Sequence, residues 1–379
     1  METIKFNVDE LLPRLQLVSS VINGKSALPI LDTLLFESTD DGIIKITSSD
    51  NDTWLTTYVD PLESTFEGSF CINAQNIASA LRNLVGSVIT LEVQKESNTL
   101  KGNYENGHFS IPYEDADAYP KPDVVNKSLE SSTKIDKAIK GEYLANSIAV
   151  TDYAVGNDVL RPVMNGIHFD FFKDGMFVVA TDGHKMVKHS NAMVTSDANS
   201  WFTLPSKPAK ILKNVLSSSE DIYISYNESC VRFMQNDFRL ITRLQEGRYP
   251  NYNSVIPTNN NLVATLPKEQ FVAALKRVLP MGSSTSELVV LLFENDSLTI
   301  NAEDIDFATS AKEIVECAYN MQAINIGFKG SVLLQVVQNI KSSDIVMAMS
   351  APEKSALFMA KDSDDNINTL SLLMPMLIN

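Results

Sequence analysis

LLFESTDDGIIKITSSD (residues 34–50) reads as two β-rich runs joined by a polar turn. The same design returns as GIHFDFFKDGMFVVATD (166–182) and again as VVLLFENDSLTINAED (289–304). Branched and aromatic side chains dominate all three stretches, as a pleated, half-buried surface requires. Asp-Gly at 41–42 and 174–175, and Asn-Asp at 295–296, provide the turn chemistry of tight hairpins. Each copy closes on an aspartate: Asp50, Asp182 and Asp304.

Outward from each hairpin the text keeps its order. An amphipathic helical segment precedes it, at Asp9–Asn23, Lys134–Ile148 and Pro267–Met281. In the third, Phe271, Leu275, Val278 and Leu279 fall at helical spacing, and Pro267 suits a first turn. A second helix follows, at Ala74–Val85, Ser206–Ser217 and Phe328–Lys341, with Ser206 as N-cap and Pro208 near the first turn. Two of these helices run into nearly the same text, SSEDI (218–222) and SSDI (342–345). The copies end in strands carrying FSI (109–111), FRL (238–240) and the run 370–374. The repeat is about 125 residues, far beyond solenoid periods. Pro, Asn and Asp cluster at 114–130 and 245–262, which marks linkers. The expected fold class is α+β: three similar domains, each with two helices packed on antiparallel sheets. They span 1–124, 125–256 and 257–379.

With 379 residues and 44% hydrophobic content the chain can bury large cores. No apolar run is long enough for a transmembrane helix, and METIKF lacks the basic and apolar regions of a signal peptide. A cytosolic protein is expected. Cys71, Cys230 and Cys317 lie far apart without a C-x-x-C pair, so three buried thiols are expected rather than a metal site or disulfides.

A net charge of −16 argues at first against a polyanionic partner. The charge is segregated, however. The helical segments together with Lys25 hold about 14 Lys/Arg against about 5 Asp/Glu, which leaves roughly −25 elsewhere. Helices sharing one surface would make that surface basic on an acidic body, suited to sequence-neutral backbone contact with DNA. No interleaving of basic and aromatic residues suggests base readout.

Enzyme signatures fail. Gly24-Lys25-Ser26 lacks the first glycine of a phosphate loop, since position 19 is Ser19. Neither a G-x-S-x-G elbow nor H-E-x-x-H occurs. The stretch 362–366 imitates a calcium loop, but Ile367 and Leu373 stand where Gly and Glu are required. Asp182 and His184 form the one acid–base pairing worth weighing, with no nucleophile beside it. No cofactor or metal is expected. An α+β enzyme centred on His184, or a nonreplicative DNA-binding scaffold with an open basic face, are the competing classes.

Five further stretches carry a family likeness: LPIL (28–31), RPVMNG (161–166), ATDGHK (180–185), EGRYPNY (246–252) and LMPM (373–376). Together, in order and with the triple repeat, they make the chain resemble the bacterial DNA polymerase III beta subunit, the sliding clamps, over essentially its whole length. The resemblance implies a head-to-tail homodimer ring with twelve helices lining the hole and sheets outside. It implies a non-catalytic processivity factor that encircles double-stranded DNA and holds polymerases and clamp-loader subunits by short apolar peptides. DNA-facing positions are then Lys25 and Lys207, with Arg82, Lys137, Lys210 and Lys276 added from helix position. Gln75 replaces a family basic position, which weakens that contact.

By the same likeness, Phe109 and Ile111 meet Val278 and Leu279 across the subunit boundary. Strand alternation alone does not separate interface from core for Phe109 and Ile111. The partner-peptide pocket takes Met164, Thr181, Gly183, His184, Lys185, Met186, Pro250, Val255, Leu373, Met374, Pro375 and Met376. Methionine adapts to several partners and proline fixes the walls. Lys185 and Ser254 stand where arginines are common, and Leu377-Ile378-Asn379 replaces a shorter, basic-then-apolar ending. A less cationic pocket rim is expected.

Overall fold

The computed structural model describes residues 2–24, 28–130, 132–134 and 138–378. The chain forms two compact units: residues 1–142 with 210–244, and residues 143–209 with 245–379. All sheet pairing is antiparallel, as expected from the repeated hairpins.

In the first unit one continuous 14-stranded sheet forms. Strands Asp221–Tyr226, Cys230–Gln235 and Phe238–Arg243 run directly into Thr53–Val59 through the pairing of Leu240 with Leu55. The second unit holds an eight-stranded and a four-stranded sheet. In the former, Lys185–Asn191 pairs along its whole length with Ile367–Leu373. Sheet pairing thus crosses both expected domain boundaries, so those boundaries do not interrupt the backbone ladders.

Helix α1 (Val8–Ser19) starts where the Asn7 side chain accepts the Asp9 N–H at 3.0 Å. It buries Val8, Leu11, Leu15 and Val18 at i, i+3, i+7 and i+10, the stripe of an amphipathic helix. Helix α2 (Ala74–Leu81) is capped by Asn73 and packs beside α1. Helix α3 (Asp123–Ser128) lies in the stretch expected to be linker. That stretch is folded onto the sheet: the Trp54 indole donates to the Pro120 carbonyl at 2.7 Å, and Val125 and Leu129 cover Trp54, Cys230 and Ile241.

The helix expected at 134–148 begins instead at Gly141, as α4 (Gly141–Thr151). Ile139–Lys140 is drawn into the ladder of Asp221–Tyr226, and Gly141 N–H donates to the Glu220 carbonyl at 2.9 Å. Sheet pairing overrides helix propensity there. Helix α5 (Ser206–Val215) starts on Ser206 itself rather than being capped by it. Helices α6 (Lys268–Val278) and α7 (Gly330–Asn339) pack on each other and on the four-stranded sheet. Their shared core holds Phe271, Leu275, Val289, Leu291, Leu333 and Val337. Asn295 and Asp296 both take positive φ (50° and 57°) between paired Glu294 and Ser297, which is the tight hairpin expected at that dipeptide. In the second hairpin, Phe172 pairs with Gly175, so the turn falls on Lys173-Asp174, one residue earlier than Asp-Gly implied. Cys71, Cys230 and Cys317 are free and buried.

Candidate partner-peptide surface and nucleic-acid face

The second unit gathers the expected peptide-binding residues. Strand Gly175–Thr181 ends at a turn, Asp182-Gly183-His184, before Lys185 opens the next strand. Asp182 locks that turn: one carboxylate oxygen accepts the N–H groups of His184 and Lys185, each at 2.8 Å, and the other accepts Lys185 Nζ at 2.6 Å. Burial pushes the Asp182 carboxyl up, but the Lys185 ammonium and the two N–H donors outweigh it and hold it below the usual carboxylate range. Thr181 Oγ1 donates to the Lys185 carbonyl at 2.7 Å and accepts the Gly183 N–H at 3.1 Å. Gly183 has φ of 90°, and a Cβ there would stand 2.9 Å from the Arg161 guanidinium. Only glycine suits both the turn and the arginine above it.

This scaffold fixes the C-terminal segment. The N–H of Met374 donates to the His184 carbonyl at 2.9 Å, and that of Met376 to the Gly327 carbonyl at 2.8 Å. Met374 is exposed, with Pro375 and Met376 half-buried beside it. Behind them Met186 and Leu372 are cross-strand neighbours, packed with Val179, Tyr249 and Tyr252. Tyr252 donates to the Asp170 carboxylate at 2.8 Å, and the Lys188 ammonium lies 4.0 Å from the Phe177 ring centre. These contacts hold the 249–255 segment, with Pro250 and Val255 exposed on it. Met164 is buried, and its carbonyl accepts the Gly156 N–H at 2.9 Å.

Two expectations need correction. Leu373 pairs with Lys185, which puts it on the opposite sheet face from Met186, inside the core around α6 and α7. Leu372 lies on the Met186 side instead, because side chains alternate along a strand. Counting by two from Met186 across the pairing would have found it. Lys185, only 8% exposed, spends its charge on Asp182 and is no rim cation. A cation beside these residues that sequence reasoning missed is Arg161, exposed, 2.9 Å from Asp158 and poised over Gly183. His184 is exposed at the tip of the turn, away from any nucleophile-and-base arrangement. Among the described residues no group of three or more His, Cys, Asp or Glu could hold a metal ion.

Several of the basic residues are engaged within the chain. Arg14 pairs with Asp237 at 3.0 Å, Lys140 with Asp221 at 2.7 Å and Arg277 with Glu313 at 2.7 Å. Lys268 donates to the Gln338 and Ile340 carbonyls at the end of α7. Lys341 donates to Asn146 at 2.6 Å. On α5, at about 100° per residue, Lys207, Lys210 and Lys213 fall on the face opposite buried Ala209, Ile211 and Leu212. Lys210, Lys276 on α6 and Arg82 at the end of α2 are exposed, Lys276 opposite its helix's buried stripe. Lys25 and Lys137 lie outside the described residues.

The expected boundary residues also separate. Val278 is 0% exposed in the chain's own core and cannot reach a partner. Leu279 is half-buried at the surface of that core. Phe109 is half-buried and Ile111 buried on Gly107–Glu114.

Three domain descriptions match in succession: the DNA polymerase III beta subunit N-terminal domain at 3–123, its central domain at 138–251 and its C-terminal domain at 253–376. The chain belongs to the DNA polymerase III beta subunit family. Among curated relatives, the beta sliding clamp of Vibrio cholerae is 24% identical over 376 residues, covering 98% of this chain and 99% of that protein. The Escherichia coli beta sliding clamp is 23% identical over 351 residues, covering 92% and 93%. The fold is likewise that of solved members of the family. A Pseudomonas aeruginosa sliding clamp bound to griselimycin superposes with a TM-score of 0.91 at 23% identity, covering 100% of both chains. The Thermotoga maritima beta subunit gives 0.90 at 21% identity, again over 100% of both. The family's three-domain α+β architecture is therefore established for this chain, and its repeated pattern is the one legible in the sequence.

Proposed function

We propose that this chain is a replicative sliding clamp: a non-catalytic, cytosolic subunit, without cofactor, that encircles duplex DNA as a homodimer and tethers polymerases to it. The end-to-end family match, with all three domains in order and none missing, carries this reading. The domains are taken as 1–124, 125–256 and 257–379. No helix among the described residues is long and apolar enough to cross a membrane.

Ring closure would use two open strand edges. Among the described residues, 107–112 pair only with 99–104, and Thr309–Glu316 pairs only with Ser297–Asp304. Unpaired edges of this kind invite a strand from another chain. The apolar seats beside them support the same geometry. The Phe109 ring lies on Gly102, where a Cβ would approach it to 2.3 Å, and Leu279 lies on Gly330, where the distance would be 2.1 Å. A cavity of about 340 Å³ lined by Leu279, Pro280, Leu288 and Val289 is of a size to admit an aromatic ring. Phe109 of the partner subunit is its proposed occupant, with Ile111 backing the strand.

DNA would meet Arg82, Lys207, Lys210 and Lys276, together with Lys25 and Lys137, through phosphates alone. Polymerase and clamp-loader peptides would dock on Met164, Thr181, Gly183, His184, Met186, Pro250, Val255, Leu372, Met374, Pro375 and Met376, with Arg161 at the rim. The test is retention on a nicked circular plasmid at high salt after loading by the cognate loader. Retention on the circle and loss on linearisation is expected. Equal loss from both forms, with loading confirmed, would overturn encirclement and favour an open basic face.

A further inference from the structure

In a chain with 47 acidic residues against 31 basic ones, two neighbouring arginines in the first unit have no carboxylate partner among the described residues. Arg232 stands on Cys230–Gln235 and Arg239 on Phe238–Arg243. Arg232 faces Ile241 and Ser225 across its two ladders, and Arg239 faces Met234 and Thr56. The two arginines are therefore diagonal neighbours on one sheet face, about 7–8 Å apart by strand geometry. None of those four cross-strand neighbours is acidic. The Nε–H of each arginine is buried and donates to no partner among the described residues, although both side chains stay half-exposed. Burial and the positive charge of Arg239 together depress the Arg232 guanidinium below its ordinary value. Two cations held side by side and partly desolvated work against folding.

The surroundings narrow what they could serve. The 119–129 segment covers the adjoining part of this face over Trp54 and Ile241, and stops short of the arginines. Beyond them the face continues through half-buried Met234 to Tyr223, whose side chain is exposed. We propose that Arg232 and Arg239 bind an acidic segment of a partner protein, its carboxylates on the two guanidinium groups and its apolar side chains on Met234 and Tyr223.

Arginine forks match carboxylates in two-point hydrogen bonds, and Met and Tyr are adaptable protein-contact residues. A nucleic acid fits less well, because two arginines neutralise little of a long polyanion. Free phosphate fits less well too, since the ladder consumes the backbone N–H groups that would complete an oxyanion cradle. The site is on the first unit and is independent of the peptide surface described above.

The test uses fluorescence anisotropy with the full chain and two labelled dodecapeptides, (Glu-Ser-Leu)4 and (Gln-Ser-Leu)4, at low salt. The Glu peptide is expected to bind about tenfold tighter than the Gln peptide, and R232Q/R239Q to remove that preference. Because a like-charge pair is relieved, the double variant is expected to melt at or above the wild-type temperature. L372A should leave Glu-peptide affinity unchanged. Equal binding of the two peptides overturns the proposal, as does a lower melting temperature in R232Q/R239Q, which assigns the pair a structural role. Loss of Glu-peptide binding in L372A overturns it by moving the peptide to the other surface. So does a double variant that loses affinity for a 20-base-pair duplex or inorganic phosphate while keeping the peptide.

Discussion

Acid should loosen the second unit between about pH 6.5 and pH 4, and two buried histidines set the size of the effect. His168 is 5% exposed, stacked on Tyr249 with ring centres 4.5 Å apart, and its Nδ1 shares a 3.0 Å hydrogen bond with the Thr203 hydroxyl. His189 is 1% exposed, with Nδ1 sharing a 2.8 Å bond with Thr369 and Nε2 left without a partner. Among the described residues no carboxylate stabilises a charge on either ring. Burial lowers both to about 4, with the Lys341 charge adding to the effect at His189. The unfolded chain takes up these protons near 6.5, whereas the folded chain resists until about 4. Protonation thus favours the unfolded state: stability is full above the unfolded value and falls as pH drops through the window. At pH 5.5 each histidine removes about 1.4 kcal/mol and the pair about 3 kcal/mol. Urea denaturation at pH 7.5 and 5.5 measures this, and Trp201, its ring 5.7 Å from His168, is a built-in fluorescence reporter. H168Q and H189Q should each remove about half of the pH-dependent loss. A wild-type midpoint that does not move, or a shift that persists undiminished in the double variant, would refute the reasoning.

Leu372→Ala should weaken a polymerase-derived peptide at least several-fold, whereas Leu373→Ala next to it should leave that affinity near wild type. Both side chains are buried, so each truncation should cost about 2–5 kcal/mol in urea unfolding; loss of peptide affinity in Leu373→Ala alone would return Leu373 to the peptide surface. Gly183→Ala forces a side chain into positive φ against Arg161, so it should lower both melting temperature and peptide affinity. Leu279→Asp should shift sedimentation from dimer to monomer while leaving the chain folded, whereas Val278→Ala should reduce stability by roughly 2 kcal/mol. K207Q/K210Q should reduce the salt slope of non-specific DNA binding by up to about 2, checked by titration over a salt series.

Period-two runs, turn dipeptides and helical stripes are local signals, and they located the three hairpins and the helices α1, α2, α5, α6 and α7 within a few residues. What they missed depended on partners distant in the chain. Gly141 starts α4 late because Ile139–Lys140 finds a ladder on residues about 80 positions away. The 114–130 stretch reads as linker by composition, yet Tyr119 folds it onto the sheet at Leu35 and Cys71, and Val125 and Leu129 do so around Trp54. In the candidate peptide surface, the stretches that come together were legible while the facing of Leu372 and Leu373 was not. A one-residue error in register moves a side chain to the other face, and the register came from Lys185–Asn191, far away in sequence. Arg161 escaped notice because its role is set by lying over Gly183.

The sequence also overstated the positive charge available to DNA, and the difference bears on mechanism. Arg14, Lys140, Lys268, Arg277 and Lys341 all spend their donors inside the chain. Exposed pairs of this kind contribute little stability, but a cation held to a local acceptor is less available to a phosphate. Each lost phosphate contact removes roughly 0.9 from the logarithmic salt slope, so the remaining helix cations would bind duplex DNA weakly at physiological salt. Weak, sequence-neutral contact is compatible with sliding but not with staying bound. If this protein persists on DNA through a replication cycle, persistence has to come from closure, and the ring is only as durable as its two boundaries. The Phe109 seat, Leu279 and the open edges at 107–112 and 309–316 should then govern residence on circular DNA far more strongly than any single lysine does. Leu279→Asp abolishing retention, where K207Q/K210Q merely shortens it, is the ordering this reasoning requires.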